Sequence, residues 1–200
     1  MSKTPGLIID VPEMAYFMVD GSGDPNVAAA YMEAIEALYA VSYTLKFHCK
    51  NALRRDYVVP PLEAVWWSDD MGDFAAGRKE RWQWTLMIMV PDFIGPDLAA
   101  NAIGMAQARK PLPGSARIRY ARLAEGRCVQ TLHIGSYDDE GPTLARLRTE
   151  FLPEHGLVEA GHHHESYLGD PRRAAPDKLR TILRQPVRSA PDPTAEQPQT

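Results

Sequence analysis

The chain has 200 residues, of which 44% are apolar, so it can bury one substantial core or two small halves packed together. Its 22 basic and 26 acidic residues give a net charge of -4, and they are mixed along the sequence. No basic field can hold a phosphate backbone, so we expect no nucleic-acid partner. The sequence shows no signal-peptide pattern and no apolar run long enough to span a membrane. Cys49 and Cys128 lie far apart without CxxC spacing, which is typical of reduced thiols in a cytosolic protein. We therefore expect a cytoplasmic protein that does not contact a membrane.

The first half of the sequence predicts a strand, a long helix, two strands and a short helix. A turn-forming segment at residues 20–25 separates the first strand from the long helix. The apolar residues of that helix recur every three or four positions, which indicates one buried face. They are Val27, Tyr31, Ala34, Ile35, Leu38, Val41 and Leu45. The predicted elements are strands at 14–19, 62–67 and 82–90 and helices at 25–47 and about 96–108.

The second half repeats this order. A Gly-Ser-x-Asp segment precedes each long helix, beginning at Gly21 in the first half and at Gly135 in the second. The predicted elements are strands at 117–124, 127–133, 162–168 and 178–187 and a helix at about 142–155. Such a repeat predicts an α+β fold of two similar modules, each an antiparallel sheet with a helix on one face, with a cleft between the joined halves.

The domain boundaries follow from this repeat and from composition. We expect one domain over residues 1–188, made of repeats at about 8–110 and 115–188. Residues 189–200 are rich in Pro, Gln, Thr and Ala, so they cannot bury apolar surface, and we expect them to be disordered.

Several short segments, in shared order, carry a resemblance to a known family. They are Asp10-Val11-Pro12-Glu13-Met14, Asp20-Gly21-Ser22-Gly23-Asp24-Pro25-Asn26, Val59-Pro60-Pro61-Leu62-Glu63, Trp66-Trp67, His133-Ile134-Gly135-Ser136-Tyr137-Asp138-Asp139-Glu140, His163-His164-Glu165-Ser166-Tyr167-Leu168 and Leu179-Arg180-Thr181-Ile182-Leu183-Arg184-Gln185-Pro186-Val187. In these segments the chain resembles the GyrI-like small-molecule-binding family, over nearly all of residues 10–187. The resemblance implies tandem βαββ modules that bind drug-like molecules.

One branch of that family has stand-alone members described as hydrolysing cyclopropane-containing, DNA-alkylating natural products. The Trp-Trp pair and the Trp-x-Trp strand make this chain similar to that branch, and we expect no attached DNA-binding domain. It departs from the pattern in two places. The run from His162 to His164 has one more histidine than expected, and Ser166 stands where a bulkier aliphatic residue is expected.

Glu165 is the strongest candidate for chemistry. In a strand, side chains alternate between faces, so His163, Glu165 and Tyr167 share one face, and we expect Tyr167 to be a catalytic residue together with Glu165. An apolar cleft would remove solvation from the Glu165 carboxylate, which disfavours its charged form and suits general acid or base catalysis. A solvated glutamate on an edge strand is the alternative that residue type alone favours, and the resemblance reverses that preference.

Glu63 occupies the corresponding strand of the first half. We expect it to support Glu165, because two carboxylates flanking one cleft permit one acid and one base. An exposed or salt-bridged Glu63 is the alternative.

Aromatic residues supply candidate ligand contacts, because ring faces bind flat or cationic molecules by stacking and cation–π attraction. Four tryptophans fall on adjacent predicted strands, although each could instead fill the core, and Tyr43 could belong to the buried helix face. The candidate ligand-binding residues are Tyr43, Tyr57, Trp66, Trp67, Trp82, Trp84, Met87, Tyr137 and His163.

Metal and nucleophile chemistry are not expected. Consecutive strand histidines point to opposite faces, so His162, His163 and His164 cannot reach one ion, even with His133 or His155 nearby. No Gly-x-Ser-x-Gly elbow or phosphate loop occurs, so we expect no cofactor.

Two functions remain open from the sequence. In the first, the protein is a hydrolase that opens a strained ring with water directed by Glu165. In the second, it only binds or sequesters cationic, aromatic molecules. A third class, interaction with a protein such as DNA gyrase, rests on the family name alone. We expect a flat aromatic or cationic small molecule as the partner, and a monomer.

Overall fold

A computed structural model of the protein describes residues 6–70, 73 and 77–191. Nine strands and four helices make up its main elements. The strands are β1 (Leu7–Val11), β2 (Met14–Ser22), β3 (Leu62–Trp67), β4 (Gln83–Val90), β5 (Arg119–Leu123), β6 (Gly126–Ile134), β7 (Leu157–Glu159), β8 (His163–Tyr167) and β9 (Arg180–Ser189). The helices are α1 (Ala29–Ala52), α2 (Pro96–Arg109), α3 (Gly141–Arg146) and α4 (Leu152–Glu154), and a π-helical turn at Leu147–Phe151 connects α3 to α4.

The strands form one antiparallel sheet in the order β1-β6-β9-β8-β3-β4-β2-β5, and β7 pairs with the end of β9. The predicted α+β fold of tandem βαββ modules is therefore confirmed. The first module contributes β2, α1, β3 and β4, and the second contributes β6, the α3–α4 segment, β8 and β9. The modules join where β3 pairs with β8 at the centre of the sheet. The edge strands are exchanged, because β1 pairs with β6 and β5 pairs with β2.

Both helical layers cover the same face of the sheet. The larger core cluster packs Ala34 and Leu38 of α1 against Ala64 and Leu86 of the sheet. A smaller cluster packs the α3–α4 segment onto the second module through Leu147, Leu152, Val129 and Val187. Register places Ala64, Leu86 and Val129 on the face that also carries Glu165. We call this the helix-side face, and it positions the candidate site between the two helical layers.

The long helix begins later and ends later than the sequence predicts. Residues 25–28 form a turn instead of a first helical turn, and the Asp24 side chain accepts a hydrogen bond from Asn26 N–H within it. Val27 is therefore 80% exposed and is not part of the buried helix face. At the other end the helix continues to Ala52.

Gly21 permits the tight packing of an indole between β2 and β4 of the first module. It pairs with Trp84, and a Cβ atom at this position would lie 2.1 Å from the Trp84 ring. Any larger residue would displace an indole that is fully buried in the core.

The remaining strand predictions hold with shifts of one to three residues at their ends, but β1 and β7 were not predicted. The segment before β5 forms a 3-10 turn at Pro113–Arg117, so β5 starts at Arg119. In the predicted tail, residue 189 is the last residue of β9, and residues 192–200 lie outside the described residues.

Candidate functional site

The central strand β8 presents different chemistry on each face of the sheet. Its register against β3 pairs Ala64 with Glu165 and Trp66 with His163, and these four residues share the helix-side face. The same register pairs Glu63 with Ser166 on the opposite face. Glu165 and Glu63 therefore lie on opposite sides of the sheet.

Glu165 is held by its two neighbours on the helix-side face. Tyr167 Oη donates a hydrogen bond of 2.7 Å to Glu165 Oε2, and His163 Nε2 lies 3.3 Å from Glu165 Oε1. Trp66 Nε1 donates to Tyr167 Oη at 3.1 Å, so an indole orients the phenol that orients the carboxylate. The Glu165 side chain is 14% exposed, which excludes the solvated alternative. Burial, reinforced by Glu165, raises the pKa of Tyr167 well above its usual value, so Tyr167 acts as a donor.

Aromatic rings from the sheet and from both helical layers lie on the same side of the sheet as this carboxylate. Tyr31 of α1 stacks on Trp66 with ring centroids 6.0 Å apart and meets Trp84 edge-on at 5.2 Å. Trp82 packs edge-on against Trp66 at 5.8 Å, and Tyr137 packs edge-on against Tyr167 at 5.4 Å. Burial raises the pKa of Tyr137 to about 12. Ring faces and edges of this kind suit a flat or cationic organic molecule.

A second carboxyl group, that of Glu140, lies beside Glu165. Glu140 is 5% exposed and immediately precedes α3. Its carboxyl group faces Glu165 and Thr181, and its Oε1 atom is buried without a hydrogen-bond partner among the described residues. Burial, followed by repulsion from Glu165, raises the pKa of Glu140 to about 9, so this acid is protonated at neutral pH.

We call the residues on this face the Glu165 site. Its members are Tyr31, Trp66, Trp82, Trp84, Tyr137, Glu140, His163, Glu165 and Tyr167.

The opposite face of β8 carries a buried ion-pair network. His164 is fully buried, with Nε2 2.9 Å from Glu63 Oε2 and Nδ1 2.9 Å from Glu125 Oε1. Arg184 Nη1 donates to Glu125 Oε2 at 2.8 Å, and Ser166 Oγ donates to Glu63 Oε2 at 3.0 Å. Burial opposes the charged imidazole, but hydrogen bonds to Glu125 and Glu63 outweigh it and raise the pKa of His164. Two acids thus face an arginine and a histidine whose raised pKa favours its charged form.

Three predicted site residues lie on this opposite face and not beside Glu165. Glu63 belongs to the ion-pair network, so the structure does not bring the two predicted carboxylates to one cleft. Met87 pairs with Glu63 in register and is fully buried with Tyr16 and Met18. Trp67 stacks on His162 at 4.8 Å. The physical reason is the period of two along a strand, which separates Trp67 from Trp66 and Glu63 from Ala64.

Tyr43 and Tyr57 lie on the helix side but away from Glu165. Tyr43 is twelve residues beyond Tyr31 on α1, about 18 Å at the helical rise per residue. It stacks between Tyr39 and Phe47, is 46% exposed, and lines a groove of about 520 Å³ between α1 and α2. It is therefore not in the buried helix stripe either. Tyr57 packs edge-on against Phe93 at 6.2 Å.

Sequence reasoning missed Tyr31 and Glu140 as site residues. Tyr31 was assigned only to the buried face of the helix, and its place opposite β3 depends on how α1 packs on the sheet. Glu140 ends the segment that begins at Gly135, and an acid just before a helix usually serves the helix N-terminus. One signal in the sequence points to Glu140: it is the last residue of the segment from His133 to Glu140 that carries the family resemblance, at the start of the helix in the second repeat.

Neither a metal cluster nor a membrane helix is found within the described ranges. No group of three or more His, Cys, Asp or Glu side chains there is arranged to hold a metal ion. No described helix has both the length and the apolarity needed to cross a membrane.

Comparisons with known proteins agree with this fold. The family model of the GyrI-like small molecule binding domain matches residues 7–188. Three crystal structures of Listeria innocua proteins are similar over nearly the whole chain. One, of an uncharacterized conserved protein, is 38% identical with a TM-score of 0.83, and 93% of each chain is covered. The others are of proteins described as hydrolases. They are 37% and 38% identical, with TM-scores of 0.81 and 0.83, and coverage is 94% and 93% of both chains, respectively.

No curated protein is detectably similar in sequence to this chain. The family match begins with β1 and ends one residue before the end of β9, and the resemblance noted in the sequence is confirmed. The chain belongs to the GyrI-like small-molecule-binding domain family.

Proposed function

We propose that the protein is a hydrolase of reactive, cyclopropane-containing aromatic molecules, and that Glu165 directs the water that opens the strained ring. The substrate lies against the rings of the Glu165 site, so binding is mainly apolar and the chemistry is polar. Such an activity removes a DNA-alkylating compound before it reacts. The buried, unpaired thiols of Cys49 and Cys128 fit a cytoplasmic protein that meets such compounds inside the cell.

The observation that carries this proposal is the setting of the Glu165 carboxylate. It is largely buried, oriented by Tyr167 and on the same side of the sheet as the aromatic rings, and within the described part of the chain it forms no ion pair with a lysine or arginine. A carboxylate that is not neutralised by the fold is available to accept a proton from water or to attract a cationic ligand.

The similar Listeria innocua proteins described as hydrolases support catalysis rather than binding alone. Their identity of 37–38% over nearly the full chain is high enough to suggest a shared reaction class. They do not identify the substrate.

The test is to incubate the protein with a spirocyclopropyl cyclohexadienone and to follow the hydroxyethylphenol product by mass spectrometry. Wild type should accelerate hydration, and Glu165→Gln should lower the rate by about 100-fold or more, because a general base typically contributes that much. Glu159→Gln, which removes an exposed glutamate paired with Arg148, is the matched control and should retain the rate. Equal product formation with and without wild-type protein would contradict the proposal.

The second candidate is a binding protein that sequesters cationic aromatic molecules without breaking a bond. The same uncompensated carboxylate among ring faces favours it. Ethidium, a flat aromatic cation, tests this through its fluorescence. Binding that Glu165→Gln weakens, together with no hydration of the cyclopropane by wild type, would select the sequestering function.

A further inference from the structure

The two carboxyl groups of the Glu165 site differ in what surrounds them. Glu165 accepts a hydrogen bond from Tyr167, and His163 Nε2 lies 3.3 Å from its Oε1 atom. Glu140 has neither contact. Its carboxyl group faces the Glu165 carboxyl and Thr181, and its Oε1 atom is buried without a hydrogen bond among the described residues. The arrangement therefore places two acids side by side, one with a hydroxyl donor and one with a buried oxygen that has no donor among the described residues.

Like charges at close range cannot both form in a buried site, so the pair holds a proton. Within the described residues, neither Glu140 nor Glu165 forms an ion pair with a lysine or arginine that would allow both to ionise. Tyr167 donates a hydrogen bond to Glu165, whereas the buried Oε1 atom of Glu140 has no donor among the described residues, so we place the proton on Glu140; burial and the nearby Glu165 carboxyl raise its pKa accordingly. The proton is therefore stored next to the residue that we propose directs water.

We propose that Glu140 is the general acid of the reaction, donating its proton to the substrate while Glu165 accepts a proton from the attacking water. This inference rests on the proposed hydrolase function and extends it with a second catalytic residue. A general acid serves such a substrate because the opened ring delivers negative charge to an atom that can be protonated. A cyclopropane conjugated to a carbonyl group has that property.

The step balances without a cofactor or a redox partner. The water oxygen bonds to the cyclopropane methylene, the bond from that carbon to the conjugated ring breaks, and its electron pair moves to the carbonyl oxygen. Glu165 takes one proton from water, and Glu140 gives one proton to that oxygen. The product is the substrate plus one water. Glu165 is left protonated beside an ionised Glu140, and transfer of the proton between the neighbouring carboxyl groups restores the starting state.

Tyr167 is not suited to the same task. Its hydroxyl proton already lies in a hydrogen bond to Glu165, and its pKa is raised further by burial and by that carboxylate. A proton given up by Tyr167 would leave a phenolate beside a carboxylate. Glu140, in contrast, carries a buried carboxyl oxygen that no described residue engages.

The test compares the pH dependence of kcat/KM for hydration of a spirocyclopropyl cyclohexadienone by wild type and Glu140→Gln. For wild type, kcat/KM should fall as pH rises through about 9, because the acid loses its proton there. Glu140→Gln should lower kcat by about 100-fold and remove this alkaline limb. Glu150→Gln, on the exposed side of the same helical segment, is the matched control and should preserve both the rate and the limb.

A structural role for Glu140 would give a different result. Urea denaturation establishes that Glu140→Gln is folded, and Glu140→Asp, which keeps an acid, should recover part of the rate and the alkaline limb. A folded Glu140→Gln that retains the wild-type rate and the limb would overturn the assignment of Glu140 while leaving the hydrolase proposal intact. No hydration by wild type would overturn both.

Discussion

The two faces of β8 carry similar residue types and use them in opposite ways. On the face with His164, two acids, Glu63 and Glu125, meet an arginine and a histidine, and each side chain has a partner within 2.9 Å. On the helix-side face, Glu165 and Glu140 meet each other, and within the described part of the chain neither forms an ion pair with a lysine or arginine. We call the face with His164 compensated, because its acids are paired with basic side chains, and the helix-side face uncompensated, because its two acids face each other.

This difference distinguishes buried acids that stabilise the fold, on the face with His164, from buried acids that are available for function, on the helix-side face. Compensated buried charges can fix the register of a central strand. Removing one partner leaves an unpaired buried charge, which lowers the free energy of unfolding. Uncompensated carboxyl groups are costly to the fold and give it no obvious benefit, which is why they are expected at functional sites. We infer that the ion-pair network holds β8 in place so that the other face can present Glu165.

The largest expected effect is that of breaking the compensated face. His164→Leu leaves Glu63 and Glu125 buried with Arg184 as the only remaining cation of the network. We expect the free energy of unfolding to fall by about 3–5 kcal/mol, measured by urea denaturation. His162→Leu, which changes the neighbouring exposed histidine, should change it by less than about 1 kcal/mol. If His164→Leu lowered the free energy of unfolding no more than His162→Leu does, the ion-pair network would not stabilise the fold.

A smaller effect is expected from the uncompensated face, and it depends on pH. Because the pKa of Glu140 is raised from 4.5 to about 9 on folding, the folded state binds the proton more tightly than the unfolded state. This contribution to stability is fully present below pH 4.5 and is lost as pH rises towards 9. Relative to Glu140→Gln, wild type should lose at least about 1 kcal/mol over this range.

The measurement is a series of urea denaturation curves for both proteins at several pH values. Subtracting the two series removes the contribution of His164, which has the same sign because its pKa is also raised. A difference between the two proteins that does not change with pH would contradict a proton held by Glu140.

The smallest expected effect is a difference in ethidium binding between variants of two tyrosines on the same helix, Tyr31 and Tyr43. Tyr31→Ala removes a ring that stacks on Trp66, and it should weaken ethidium binding by about 0.5–2 kcal/mol. Tyr43→Ala removes a ring from the groove between α1 and α2, and it should change binding by less than about twofold, since such distant sites rarely couple. Fluorescence titration measures both. A larger effect at Tyr43 would place the ligand in that groove.

The sequence predicts the fold well because its signals are local and repeated. The spacing of apolar residues marks α1, and the Gly-Ser-x-Asp segments mark the start of each module's helical region. In contrast, β1 and β7 are short, and they become strands only by pairing with β6 and β9. That pairing is long-range, so no local pattern reports it.

The candidate site is predicted in part for a related reason. Alternation along β8 correctly places His163, Glu165 and Tyr167 together. Alternation does not say how two strands are aligned, and the register of β3 against β8 decides that Trp66 joins the site while Glu63 and Trp67 do not. Glu140 and Tyr31 enter the site from helical segments, and their approach depends on packing that a single sequence does not encode locally.

The most direct test of whether Glu165 lies at the ligand-binding site is a crystal structure determined from a crystal of the protein soaked with ethidium. We predict that the ligand's ring system lies against Tyr31 and Trp66 on the helix-side face, with its positive charge towards Glu165. A ligand bound only in the groove beside Tyr43, or on the face of His164, with Glu165 still covered by its neighbours, would contradict a binding and catalytic role for this carboxylate.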